Sequence, residues 1–140
     1  LVSVMTFLKG DISKKITTWE LNRFSNKQYV NVVGGASRLF KYFAKTHTPD
    51  EVTSFADRRW STTVSNVYTA IGFEFVHASP PNYWYFMPVE LKRYHRYGLR
   101  KKQDDVLTEK EIRNQQGWLR IWDCGSLKYV WKKANPLPIL

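Results

Sequence analysis

The sequence has little of what usually marks an enzyme or a disulfide-stabilised scaffold. Cys124 is the only cysteine in the 140 residues, so an internal disulfide framework and a multi-cysteine zinc site are excluded, and a reducing compartment is expected. The three histidines, His47, His77 and His95, show no metal-ligand spacing. No apolar run approaches the roughly eighteen residues that a membrane-spanning helix needs. We therefore expect neither a metal site nor a membrane span.

Acidic residues are also scarce, with 12 Asp+Glu against 22 Lys+Arg and a formal charge of +10. The acids that are present do not form a nuclease cluster. Asp104 and Asp105 follow a basic run, while Glu109 and Glu111 fit the solvated first turn of a short helix. We expect no catalytic centre in this chain. The positive charge predicts attraction to a polyanion, either nucleic acid or an anionic membrane surface.

What remains is the composition of a globular domain, with 43% apolar residues and 16% aromatic residues. Alternating strand and helix patterns predict an α/β (α+β) fold with a mixed sheet over residues 1–88. The predicted strands cover 2–8, 17–24, 32–33, 52–56, 73–77 and 83–86. The first two form a β-meander or hairpin, and the last two form a hairpin. The predicted helices run from 39 to the stop at Thr48-Pro49 and from 62 to 71. A basic segment, a helix opened by the Thr108–Glu111 capping box, and a hairpin of 118–122 with 127–131 fill residues 89–134. Residues 135–140 are expected to be a tail.

Two glycines precede the first predicted helix. In the stretch Asn31–Ser37, backbone N–H groups at the helix start could hold a phosphate or pyrophosphate. The candidate residues for this phosphate site are Gly34, Gly35, Ala36 and Ser37. The alternative is a tight turn that lets the helix approach the sheet closely.

Two arginines follow the predicted strand 52–56, at the carboxyl edge where open α/β sheets place their ligands. Arg58 and Arg59 can each donate two parallel hydrogen bonds to a phosphate. In the alternative interpretation, Asp57 forms an ion pair with one arginine and Trp60 packs on the other.

The segment Leu91–Gln103 is the clearest candidate for a nucleic-acid contact. It holds six basic residues and no acid, whereas solvated charged faces normally mix both signs. Interleaved rings can stack on bases or lie along sugars. The candidate DNA-binding residues of the whole chain are Arg58, Arg59, Lys92, Arg93, Tyr94, His95, Arg96, Arg100, Lys101 and Lys102, with Tyr97 beside them.

Several blocks carry a family resemblance, among them Val32–Phe43, Phe55–Ser61, Pro81–Tyr85, Tyr94–Arg96 and Arg120–Gly125. Through them, the chain from Leu1 to about Trp131 resembles the C-terminal region of phage-encoded homing-endonuclease-like proteins whose N-terminal part is a very-short-patch-repair-like nuclease. The resemblance implies a DNA-binding, target-recognition domain that works in the cytoplasm of an infected bacterial cell. It also implies that the chain is a fragment, with a nuclease domain and a further strand before Leu1.

The same blocks look like the GNAT type of acyltransferase fold. That family has Gln/Arg-x-x-Gly-x-Gly/Ala before a helix whose N-terminus holds the coenzyme A pyrophosphate. Here Gly34 and Ala36 match the pattern, whereas Asn31 stands in place of Gln or Arg. The resemblance implies a GNAT-like fold, and an acetyl-coenzyme A-dependent N-acetyltransferase is the alternative function. A third interpretation is a phage structural or assembly protein. The expected partner is double-stranded DNA, with no cofactor in this chain.

Overall fold

The computed structural model of the chain describes residues 1–10, 16–63, 66–103, 106–135 and 137. Contacts between residues divide the chain into two compact units. The first unit consists of Leu1–Ser79 and Ser126–Leu140, and the second unit is Pro80–Gly125. The sequence-based division at residue 88 followed a change of composition, whereas these units are defined by contacts. Asp104, Asp105 and most of the tail predicted at 135–140 lie outside the described residues.

Strands and helices alternate along the described chain, which confirms the predicted α/β class. In chain order the strands are β1 (Ser3–Lys9), β2 (Thr18–Asn26), β3 (Glu51–Asp57), β4 (Glu74–Ala78), β5 (Tyr83–Phe86), β6 (Arg93–His95), β7 (Leu119–Trp122) and β8 (Ser126–Lys132). The α-helices are α1 (Gly35–His47), α2 (Val67–Ala70) and α3 (Glu109–Gln115), and a 3₁₀ helix spans Arg96–Leu99. Within the described ranges, no helix has the length and apolar character needed to cross a membrane.

The first unit contains a five-stranded mixed sheet in the order β1-β2-β3-β8-β4. The strands β2 and β3 run parallel, and the other neighbouring pairs run antiparallel. This confirms both the mixed sheet and the hairpin of the first two strands. A parallel pair needs a crossover connection, and α1 lies within the connection from β2 to β3.

The core of the first unit forms where α1 packs on the sheet. Phe40 and Phe43 are buried on this helix, at positions that the helical spacing predicted. The Phe43 ring stacks on Phe7 of β1 with centroids 3.5 Å apart, and the Phe40 ring meets Trp131 of β8 edge-on at 5.3 Å. Burying each phenylalanine contributes about 1.5–3 kcal/mol, so these contacts fix α1 against the sheet.

The strand predicted at Val32–Val33, directly before the two glycines, is wrong. β2 ends at Asn26, and these residues are irregular. Val33 is 86% exposed, so it gains no burial that would favour a strand. The Gly35 N–H donates to the Val32 carbonyl at 3.0 Å. Gly34 has a φ of +70° in this turn, a left-handed conformation that glycine adopts readily. The valines therefore belong to the turn that leads into α1.

The helix predicted over 62–71 is shorter in the described residues and spans Val67–Ala70. The Asn66 side chain accepts hydrogen bonds from the N–H groups of Tyr68 and Thr69, at 2.9 and 3.1 Å. It is thus an N-cap residue, whose own backbone is not helical. The helix starts after this cap, and residues 64 and 65 lie outside the described residues.

Both hairpins predicted in the second half of the chain are wrong. The strand β4 pairs with β8 and not with β5, while β7 pairs with β5 and not with β8. Ser79 helps to fix this arrangement, because its N–H donates to the Ser126 carbonyl at 2.8 Å. The alternating residues Leu127, Tyr129 and Trp131 are buried in the core of the first unit. Burial of this apolar face of β8 outweighs the pairing of strands that are neighbours in sequence, β4 with β5 and β7 with β8.

The second unit contains a three-stranded antiparallel sheet in the order β6-β5-β7. Tyr85 of β5 lies opposite Tyr94 of β6 and Arg120 of β7, so these three side chains share one face. The helix α3 begins at the predicted capping box of Thr108 and Glu111. It ends before Gly117, where the sequence also predicted its end, and this glycine has a φ of +82°.

Candidate nucleic-acid interface

The turn that carries the predicted arginine pair directly follows β3, as the sequence indicated. Asp57 closes this turn. Its Oδ1 atom accepts from the Arg59 N–H at 2.8 Å, and its carbonyl accepts from the N–H groups of Trp60 and Ser61 at 3.1 and 3.0 Å. The backbone of residues 57–61, which we call the arginine turn, is therefore held by one residue at the end of a strand.

Most side chains of the arginine turn point to solvent. Arg58 and Arg59 are exposed, and neither forms an ion pair with Asp57 in the described part of the chain. The Arg58 guanidinium donates only a long hydrogen bond, 3.3 Å, to the Ser79 carbonyl. Trp60 is 81% exposed, so the interpretation in which it packs on an arginine is wrong. The turn presents two cations and one indole together.

The predicted basic segment contains β6 and the 3₁₀ helix that follows it. Its candidate residues Lys92, Arg93, His95, Arg100, Lys101 and Lys102 are exposed, whereas Tyr94 and Arg96 are half-buried. The His95 Nδ1 atom accepts from the Tyr97 N–H at 3.3 Å and caps the 3₁₀ helix. This histidine thus shapes the segment.

Two cations of the basic segment lie over tyrosine rings. The Arg100 guanidinium is 4.2 Å from the Tyr97 ring centroid, and the Lys92 ammonium is 5.2 Å from the Tyr94 centroid. Tyr97 is 67% exposed, so the Arg100–Tyr97 pair is exposed to solvent. Such exposed pairs contribute about 0.5–1 kcal/mol, enough to orient a side chain while its N–H groups stay accessible.

Tyr94 has a structural environment. Its hydroxyl donates to Glu90 Oε2 at 2.7 Å, and its ring meets Trp118 edge-on at 5.1 Å. The hydrogen bond to Glu90, with a smaller contribution from burial, raises the pKa of the Tyr94 hydroxyl. This tyrosine joins β6 to its neighbours and offers less of its ring to a ligand than Tyr97 does.

Arg113 of α3 anchors the end of the basic segment, a role that the sequence did not predict. Its Nε atom donates to the Leu99 carbonyl at 2.8 Å, and its Nη2 atom to the Arg100 carbonyl at 3.4 Å. The Nη1 atom donates to Gln116 Oε1 at 2.7 Å. A planar guanidinium serves several acceptors in one fixed geometry, so Arg113 holds the backbone from which Arg100 projects.

The sequence also did not predict a polar cluster on the face of the three-stranded sheet, the small sheet, that carries Tyr85. Glu109 Oε1 accepts hydrogen bonds from the hydroxyls of Tyr83 and Tyr85, at 2.9 and 2.7 Å. Arg120 donates to the Tyr85 hydroxyl at 3.0 Å. The interpretation of Glu109 as a solvated residue of a helix start is therefore wrong. It is half-buried, and it joins α3 to β5.

The pKa values of Tyr85 and Glu109 in this cluster are shifted in opposite directions. Burial, together with the hydrogen bond to Glu109, raises the pKa of Tyr85 to about 12. Burial also acts to raise the pKa of Glu109, but the hydrogen bonds from Tyr85 and Tyr83 and the charges of the nearby arginines outweigh it, so the pKa of Glu109 is lowered. The carboxylate stays ionised and the phenol stays neutral near neutral pH.

Arg96, which the sequence assigned to DNA, is directed towards this cluster. Its guanidinium lies 4.7 Å from the Tyr83 ring centroid, and Nη1 is 3.4 Å from Asn82 Oδ1. Arg120 lies over the same ring at 4.3 Å. Pairing of β5 with both β6 and β7, and not any local motif, creates this set. Only the regular spacing of Tyr83 and Tyr85 on one strand face was visible in the sequence.

The glycine turn contains the four candidate residues for the acyl-coenzyme A alternative. Gly35 is buried and Ser37 is half-buried. A side chain at Gly35 would meet Val32 Cγ1 at 3.1 Å, which shows how closely the turn packs there. A side chain at Gly34 would meet nothing within 4 Å, but the left-handed backbone would strain it. Close packing therefore accounts for Gly35, and backbone conformation accounts for Gly34.

Within the described ranges, no three His, Cys, Asp or Glu side chains are grouped so that they could hold a metal ion. Cys124 is an exposed free thiol. No model of a known protein family matches the sequence, and no curated protein is significantly similar to it.

Proposed function

We propose that the chain is a DNA-binding, target-recognition domain that holds phosphates through arginine and lysine side chains. The observation that carries the proposal is the exposed Arg100–Tyr97 pair, at 4.2 Å, within a segment of six basic residues and no acid. The cation can bind a phosphate, and the ring beside it can lie along a sugar or a base. Release of counterions from the DNA would supply most of the affinity.

The shape of this segment favours nucleic acid over a membrane surface. Basic segments that bind membranes are typically amphipathic helices with a continuous apolar face. Here the chain forms a three-residue strand followed by a four-residue 3₁₀ helix. Its charges therefore project from a backbone that forms no continuous amphipathic helix and that Arg113 anchors, which suits discrete phosphates better than a lipid interface.

The resemblance to phage homing-endonuclease-like proteins supports the same role. In that proposal a nuclease elsewhere in a longer protein cleaves the DNA, and this domain positions it, in the cytoplasm of the infected cell. We also propose that the first unit is GNAT-like. The support for this is that α1 connects two parallel strands and begins at the second of the two glycines. Sites, and not folds, determine activity, so this fold is compatible with DNA binding.

Titration of labelled duplex DNA at increasing salt tests the proposal. Wild-type affinity should fall steeply, with a log–log slope of about −0.9 for each phosphate held. The variant with Lys92, Arg93 and Arg100 all changed to Ala should bind every duplex sequence more weakly and lose up to about 3 units of slope. Arg96 is left intact because it packs on Tyr83, and its loss would disturb the fold.

A matched control changes Lys27, Lys45 and Lys133 to Ala. These lysines are also exposed, and the control loses the same three charges. Its slope should stay close to the wild-type value. If the control weakens binding as much as the test variant does, the basic segment is not the DNA contact. Absence of wild-type binding to DNA at low salt would contradict the proposed function altogether.

A further inference from the structure

Trp60 is exposed on the first unit. Its side chain is 81% exposed, whereas that of Trp131 in the core of the same unit is 3% exposed. Indole is the largest apolar side chain, and leaving it in water forgoes about 1.5–3 kcal/mol or more of burial free energy. The position in the turn has no packing role that would explain a tryptophan. An aromatic ring presented in this way is available for a ligand.

The arginine turn holds this ring in a fixed place. Asp57 accepts from the backbone N–H groups of Arg59, Trp60 and Ser61, and Asp57 itself ends β3, between β2 and β8 in the sheet. The backbone that carries the indole is therefore ordered before any ligand arrives. An ordered backbone lowers the entropic cost of binding.

We propose that Trp60 stacks on an unpaired base of DNA while Arg58 and Arg59 hold the adjacent phosphates. This inference rests on the proposed function and assigns a second contact, outside the basic segment, that takes single-stranded or locally opened DNA. Proteins that bind single strands combine aromatic platforms with cations along the backbone. The arginine turn provides both within three consecutive residues.

The composition of the turn favours a base over an apolar protein surface. Protein-binding patches need contiguous apolar area around an aromatic anchor. Here the chain neighbours of Trp60 are Arg58 and Arg59 on one side and Ser61 and Thr62 on the other. An exposed ring whose chain neighbours carry cations and hydroxyls can stack on the face of a base while those neighbours reach its phosphates.

The test compares three labelled DNAs of one sequence: an intact duplex, the same duplex with an unpaired central stretch, and the single strand. Wild-type protein should bind the two DNAs with unpaired bases more tightly than the intact duplex. Trp60→Ala should weaken binding to those two DNAs by about 5- to 150-fold, the range for loss of one base–aromatic stack. Trp60→Phe, which keeps a ring, should retain most of the affinity.

The salt dependence separates stacking from charge. Trp60→Ala should leave the salt slope unchanged, because no cation is lost. The matched control is Tyr42→Ala on α1, which removes a ring that is 72% exposed and should leave binding to all three DNAs unchanged. Because both side chains are exposed, thermal unfolding should confirm that each variant is folded.

The possible failures differ. If wild-type protein binds none of the three DNAs at low salt, the proposed function fails, and this inference fails with it. If wild-type protein binds DNA but Trp60→Ala behaves like Tyr42→Ala, only the stacking role of Trp60 is overturned. Equal losses on the intact duplex and on unpaired DNA would also overturn it, since they would show a contact that does not depend on an accessible base.

Discussion

Tyr85 donates its hydroxyl hydrogen to Glu109 Oε1 across 2.7 Å, and this bond joins the central strand of the small sheet to α3. Tyr85 is fully buried, and its oxygen also accepts from Arg120. We predict that Tyr85→Phe lowers the free energy of unfolding by about 1–3 kcal/mol, because it removes one hydrogen bond from each of two charged partners, Glu109 and Arg120. Urea unfolding measures this change.

Tyr94→Phe is the matched control for this prediction. It also removes a hydroxyl that donates to a carboxylate, that of Glu90, but the bond lies at the surface. Water can replace the lost partner there, so stability should hardly change. If both variants lose the same stability, the Tyr85–Glu109 bond has no special structural role.

The pKa values of the same pair predict how stability depends on pH. Tyr85 has a pKa of about 12 in the folded chain, against an ordinary value of 10.0. Between these values the unfolded chain loses the proton and the folded chain keeps it, so unfolding is favoured. The contribution is fully present below pH 10.0 and is lost as the pH rises towards about 12.

Glu109 acts at the other end of the pH scale. Its pKa is lowered in the folded chain, so its contribution is present above its ordinary pKa and is lost as the pH falls through the folded value. Urea unfolding across the pH range should show losses at both ends. In Tyr85→Phe the alkaline loss should shrink. An alkaline loss of unchanged size would assign it to other tyrosines, such as Tyr94.

Local patterns and non-local pairings differ in how well the sequence predicts them. The helical spacing of Phe40 and Phe43 and the capping box of Thr108 and Glu111 depend on neighbours a few residues away, and both predictions are confirmed. The position of β8 depends on which partners can bury Tyr129 and Trp131, and those partners lie far away in the sequence. Turn residues therefore predicted hairpins that do not form.

In the candidate site, too, local patterns were predictable from the sequence and non-local contacts were not. The arginine turn could be predicted because Arg58 and Arg59 directly follow a strand. The cluster of Tyr85, Glu109 and Arg120 could not, because these residues meet only through the pairing of β5 with β7 and the placement of α3. The pairing of β5 with β6 brings Arg96 towards Tyr83, which a count of charges along the segment could not show.

Arg113→Lys should loosen the basic segment without changing its charge. Lysine cannot serve the carbonyls of Leu99 and Arg100 in the planar geometry of a guanidinium. Loss of these charge-assisted hydrogen bonds should cost about 1–2 kcal/mol of local stability. Amide hydrogen exchange in residues 97–103 should therefore become roughly tenfold faster, and DNA affinity should fall while the salt slope is unchanged.

Arg93→Lys is the control for this change, because the Arg93 side chain is exposed on β6. It should leave the hydrogen exchange of residues 97–103 unchanged. Unchanged exchange in Arg113→Lys as well would show that α3 does not anchor the segment. A reduced salt slope in Arg113→Lys would instead indicate that Arg113 itself contacts phosphate.

The two arginines of the arginine turn should act as phosphate ligands that do not read the sequence. Changing both Arg58 and Arg59 to Ala should weaken binding to all DNA sequences alike and reduce the salt slope by about 2 units if each holds one phosphate. Stability should change little, because both side chains are exposed and Asp57 holds the turn through backbone N–H groups.

The double variant Lys27→Ala/Lys45→Ala, which removes the same charge from exposed positions, should keep the wild-type slope. A slope that falls equally in both variants would mean that net charge, and not the arginine turn, attracts the DNA. A slope that changes in neither would leave the basic segment as the only phosphate contact among these candidates.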